Sequence, residues 1–219
     1  VEAQAAHNPL FWGTEVIKLD KRMYLPGAVA VGMQRVKTKY VLVLQHDLPF
    51  IRHVDMHNVV RSMEANPNLK HVRFNSESSN VRNKADWFLD SRVLGPLWVP
   101  LLRTYSWSDR NHIARKWYYE QVVLPPVLKR RFHFMEDYMH HYEKEVLKHR
   151  LTNHPQQQGR QHAKLFGTYI YGFPSESQYV LHADGSSSYS NGTYWIPYLD
   201  NSCCIDGDCR GAQNTKPQG

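Results

Sequence analysis

Three short polar clusters carry the residue types that catalysis uses. The first is Gln45-His46-Asp47, which closes the apolar run that starts at Lys39 (KYVLVLQ). In open α/β sheets ligands bind outside the carboxyl ends of strands. A carboxylate placed there can hold a divalent ion, which in turn neutralises a diphosphate. An Asp at this point also serves as a turn residue or helix cap, although Pro49 fits poorly with a cap for a helix starting near His53. The second cluster is Glu136-Asp137, at the start of an amphipathic stretch. Two carboxylates in a first helical turn complement the helix dipole, and one of them could equally take a proton from an attacking hydroxyl. The third is His182-Ala183-Asp184-Gly185, following the apolar residues Tyr179 to Leu181. A neutral imidazole there is an acceptable ligand for Mn²⁺. His140, His141 and His149 share a helix without the H-E-x-x-H pattern of a zinc hydrolase.

The elements that must position these groups alternate in type. Gly27 to Arg35 reads as a short helix, and Lys39 to Gln45, rich in Val and Leu, as a strand buried on both faces of a parallel sheet. His53 to Ala65 has Met56, Val59, Val60 and Met63 at helical spacing and is stopped by Asn66-Pro67-Asn68. Lys70 to Phe74 is a second strand. Residues 75–97 have no period and read as an insertion. Val99 to Tyr105 is predicted as an edge strand because of Pro100. A helix is predicted from Ser106 to Leu124, with Ser108 or Asp109 as cap and Pro125-Pro126 as its stop. Met135, Met139, Tyr142 and Val146 mark a further helix up to about Arg150. Leu165 to Tyr171 reads as a strand and Gln178 to His182 as another short one. The order implies an α/β sandwich.

The chain has 219 residues, 42% hydrophobic and 21% charged, enough for one domain with a core. It contains no apolar run long enough to cross a bilayer and opens on Val1 without a signal segment, so it reads as a piece of a longer protein. Cytoplasm and Golgi lumen both stay open as compartments. The net charge of +7 suits an anionic partner such as a nucleotide diphosphate. The basic residues are scattered rather than gathered in a stripe, so nucleic acid is not expected. The 13 histidines add ligands and bases but no charge at neutral pH. Cys203, Cys204 and Cys209 lack zinc-knuckle spacing and fall in a tail, residues 201–219, predicted to be disordered. Asn191-Gly192-Thr193 is a sequon.

Taken in order, the strand ending in Asp47, the Glu136-Asp137 pair and the His182 segment resemble the catalytic half of GT-A glycosyltransferases, especially inverting, family 2-like enzymes. The likeness covers about residues 23–190. It implies a GT-A, Rossmann-like sandwich over residues 1–200 with a mostly parallel central sheet that lacks its first strands. It also implies transfer of a sugar from a nucleotide-sugar donor to a carbohydrate or other hydroxyl acceptor. By resemblance, Asp47 and His182 bind Mn²⁺ or Mg²⁺. Asp137 is the general base, with Glu136 as second choice or as the residue that positions the acceptor. Trp107, Asp109 and His112 fall where the acceptor pocket should form. Gln45 stands where the family's first metal-motif Asp would be, and nothing before Val16 corresponds to the strands that hold the donor base. The alternative is a binding or scaffold protein that keeps the fold without the catalysis.

Overall fold

The computed structural model describes residues 7–76, 88–93, 98–104, 107–130, 134–150, 162–173, 176–181 and 183. The chain divides into two compact units, Val1–Ala183 and Asp184–Gly219, and all described residues belong to the first. The sequon and the three cysteines lie outside the described residues. No helix among the described residues is long and apolar enough to cross a membrane.

The elements follow in the order α1 (Tyr24–Arg35), β1 (Tyr40–Val43), α2 (Met56–Ala65), β2 (His71–Phe74), β3 (Phe88–Val93), β4 (Leu101–Thr104) and β5 (His112–Arg115). Next come α3 (Lys116–Tyr118), a π-helical turn (Tyr119–Val123), α4 (Leu124–Arg130), α5 (Met135–Arg150) and β6 (Thr168–Tyr171). Asp55 caps α2 by accepting from the Asn58 N–H at 3.0 Å, so the helix begins later than the His53 expected from periodicity. Pro125 and Pro126 do not end a helix. They open α4, where the π turn has already displaced the hydrogen-bond ladder that their missing N–H groups would break.

The class is α/β, but the expected mostly parallel sheet is corrected by the strand pairing. The six strands lie in the order β1-β5-β2-β6-β4-β3. Only β2 and β6 are parallel neighbours; the other pairs are antiparallel. The cause is β5, a strand inside the stretch predicted as helix, which inserts antiparallel between β1 and β2. Since β1 and β2 both oppose β5, and β6 runs with β2, these three strands still point their carboxyl ends the same way. The polar ends of β5 disguise it in the sequence. Arg115 is buried because carbonyls cage its guanidinium: Nε donates to Leu69 O at 2.8 Å, and Nη2 donates to Asn66 O at 3.2 Å and to Met63 O. Pro100 precedes β4, where no ladder N–H is needed, so β4 sits inside the sheet rather than at its edge.

Apolar residues alternate onto the two sheet faces. Val72, Phe74, Ile113, Tyr169 and Tyr171 pack with Val59 and Met63 of α2 on one side. Ala114 joins Met33, Tyr118, Val123, Met135, Met139 and Phe166 on the other. β1 departs from its reading as a strand buried on both faces. It is the sheet's edge, with Val41 and Val43 against the second cluster and Leu42 and Leu44 exposed at 42% and 55%. Gly167, at φ +57°, launches β6; a Cβ there would collide with Asn68 O, so both conformation and space demand glycine.

Candidate active site

The irregular segment Trp107–Asn111, which precedes β5, lies at the carboxyl ends of β1 and β2, because Val43 pairs with His112 and the Phe74 N–H donates to Asn111 O at 3.0 Å. Side chains from several elements take up its backbone groups. Glu143 of α5 accepts from the Trp107 N–H at 3.3 Å, and the Nε2–H of His140 donates to the Trp107 carbonyl at 2.7 Å. His71 of β2 donates from Nε2 to Ser108 O at 3.0 Å. Gln45 donates from Nε2 to Asp109 O at 3.0 Å, while its own N–H donates to Asn111 Oδ1 at 2.8 Å. Asn111 Nδ2 donates to Leu48 O at 2.5 Å. His112 donates from Nδ1 to Arg110 O at 2.5 Å. A buried loop leaves no water for its carbonyls, so each must be met by a placed donor. The segment is therefore held in one conformation from four sides.

Asp109 is buried in this cradle, 9% exposed, and its carboxyl shares a hydrogen bond with Glu136 in the first turn of α5. Burial, together with the negative charge of Glu136 and that hydrogen bond, pushes the Asp109 carboxyl up to about 7, against a downward pull from Arg110. Two carboxyls this close hold a proton between them far above the usual carboxylate range. Glu136 is 29% exposed, so it is the member of the pair that solvent or a ligand can reach. Its Oε1 also lies 3.8 Å from His140 Nε2, one helical turn on.

The sequence-predicted residues sort as follows. Glu136 and Asp109 are brought together, though the sequence reading assigned them separate roles. Asp137, the first choice as base, is exposed: one residue further round the helix turns it about 100° away from the pair. Trp107 and His112, expected at the acceptor pocket, are wholly buried. Their rings pack with His71 and Tyr119 beneath the segment. Burial lowers the His112 ring to about 4, so it is neutral; with Nδ1 protonated, Nε2 accepts from the Tyr119 O–H at 2.6 Å.

Asp47 lies in the turn closed by the Leu48 N–H on Gln45 O at 3.3 Å, and its side chain is 20% exposed. His182 lies outside the described residues, but its neighbours run beside Asp47. The Leu181 N–H donates to Pro49 O at 3.0 Å and the Ala183 N–H to Asp47 O at 2.8 Å. Among the described residues no group of three or more potential metal ligands stands together. One carboxylate at this position suits an ion of the Mg²⁺ type, which takes one or two protein carboxylates and completes its shell with water and phosphate oxygens.

Asn111 and His71, which nothing in the sequence singles out, hold this segment through long-range hydrogen bonds. Gln45, which stands in the first polar cluster, ties the end of β1 to the Asp109 loop. Comparison of the chain with protein-family models, curated proteins and solved structures finds no match.

Proposed function

We propose that the chain is the acceptor-side, catalytic part of a metal-dependent, inverting glycosyltransferase of GT-A type. The observation that carries this reading is the Asp109–Glu136 pair at the carboxyl ends of β1 and β2, beside the turn that holds Asp47. Glu136, the more open member, takes the proton from the acceptor hydroxyl. Asp109 raises the basicity of the pair, so that its conjugate acid titrates near neutral pH, where a general base works best. As the acceptor oxygen bonds to the anomeric carbon, the bond from that carbon to the diphosphate oxygen breaks, and its electron pair leaves with the diphosphate. A divalent ion, Mn²⁺ or Mg²⁺, supplies charge neutralisation to that leaving group when bound, and Asp47 with His182 would hold it.

Incubating the full-length reading frame with a panel of sugar nucleotides, hydroxyl acceptors and Mn²⁺ tests the proposal. The expected product carries the sugar with its anomeric configuration inverted, and chelation abolishes the reaction. Sugar-nucleotide binding with no transfer to any acceptor would favour the scaffold reading instead. Transfer with retained configuration would remove the single-displacement step.

A further inference from the structure

Helix α5 presents three polar side chains to the 107–109 segment, and they recur at i, i+4 and i+7. Glu136 meets the Asp109 carboxyl, His140 the Trp107 carbonyl and Glu143 the Trp107 N–H. Both backbone groups of Trp107 are thus held by one stripe of the helix whose first turn carries Glu136. Glu143 is buried, 1% exposed, beneath the site. Its Oε1 lies 3.6 Å from Nε2 of His162, which is itself buried in the helical turn of residues 162–165. Burial pushes the Glu143 carboxyl up, opposed by His162, the Trp107 N–H and His140. Tyr118 lies nearby, its phenol pushed up by burial first and then by the Glu143 charge. A carboxylate so placed is costly, and plain packing would be served as well by an apolar side chain.

We propose that Glu143 is a positioning residue of the Asp109–Glu136 pair: its hydrogen bond to the Trp107 N–H sets the register of α5 against the 107–109 segment and so keeps the two carboxyls in contact. The inference deepens the base assigned under the proposed function and rests on it for any catalytic meaning, but the geometry it claims is measurable without turnover. Asp109 and Glu136 are faced by Arg110 and Tyr119 as well as by His140, and Glu143 by His162, Tyr118 and His140. Substitutions at 143 leave every one of those groups in place.

Carboxyl titration of the whole chain, followed by NMR, tests the proposal. In Glu143→Gln the amide oxygen still accepts from the Trp107 N–H, so the Asp109 titration is expected to stay near that of wild type. In Glu143→Leu the acceptor is gone, and the titration is expected to fall by more than about one pH unit, toward that of an unpaired carboxyl. If Glu143→Leu does not fold, Glu143→Met replaces it, since its longer side chain fills the same buried space and offers the Trp107 N–H no oxygen. An unchanged titration in the folded Leu or Met variant overturns the proposal, as does a Gln variant that shifts as far as Leu. If the titrations behave as expected while no sugar is transferred, the positioning role stands and the glycosyltransferase reading fails.

Discussion

If the pair acts as proposed, Glu136→Gln is expected to lower turnover of the full-length protein by about 10²–10⁴-fold, the contribution of a positioned general base, while Asp137→Asn is expected to stay near the wild-type rate. The difference follows from helix geometry. Glu136 reaches Asp109, and Asp137, one residue later, faces solvent. Donor affinity should hardly change in either variant, because the base meets the acceptor and not the diphosphate. Asp137→Asn should cost no more than about 1 kcal/mol of stability, the value of an exposed carboxylate at a helix N-terminus. Rate, donor affinity and melting temperature measured on each variant separate the outcomes. An inactive Asp137→Asn beside an active Glu136→Gln would return the base to Asp137 and require α5 to rotate from its present register.

Asp109→Asn gives the second large effect, with opposite signs in stability and rate. The folded Asp109 carboxyl is raised above its unfolded value, chiefly by burial and then by Glu136. Between the unfolded value near 4 and the folded value near 7, the native state binds more protons than the unfolded state. Stability from this group is therefore full at acid pH and is lost as pH rises through that window. Asn resembles the protonated acid and does not ionise. The variant should match wild type near pH 4 and exceed it above pH 7 by up to about 4 kcal/mol, seen as a melting temperature that no longer falls over that range. Turnover at neutral pH should drop, since the variant lacks the raised Asp109 carboxyl that lets the pair exchange a proton near neutral pH. A stabilised but slower enzyme is the expected mark of a site strained for function. A variant less stable than wild type at pH 8 would show that Asp109 is a structural hydrogen-bond partner and nothing more.

How much of this was legible in the sequence depends on where the physical cause lies. Helix α5 was, from Met135 to Arg150, because Met135, Met139 and Tyr142 recur at helical spacing. Its functional stripe was legible in principle too: Glu136, His140 and Glu143 follow the same spacing beside the apolar one. Reading Glu136-Asp137 as an adjacent pair hid the fact that helical neighbours point about 100° apart. β5 was not legible. His112 and Arg115 look like surface residues until the carbonyls of Met63, Asn66, Leu69 and Arg110 are assembled around them, and those come from distant stretches of chain. The antiparallel entry of β5 in turn decided the sheet's pairing, so the strand directions were missed for the same reason. β1 read as doubly buried because its composition is apolar, yet composition does not record which neighbours a strand has. Asp109 was chosen for its place between two motifs; its partnership with Glu136 depends on Gln45 and His71 holding the loop, a matter of long-range contacts alone.

The central claim, that the Asp109–Glu136 pair removes the acceptor proton, is tested most directly by the pH dependence of kcat/KM in the full-length wild-type enzyme. A base acts only when deprotonated, so the profile should rise tenfold per pH unit below about 7 and level above it, tracking the raised Asp109 carboxyl. In Asp109→Asn the midpoint should move down toward the ordinary carboxylate range. A profile flat from pH 5 to pH 9, or one with the same midpoint in both enzymes, would contradict the account, because the group that controls the rate would then lie outside this pair.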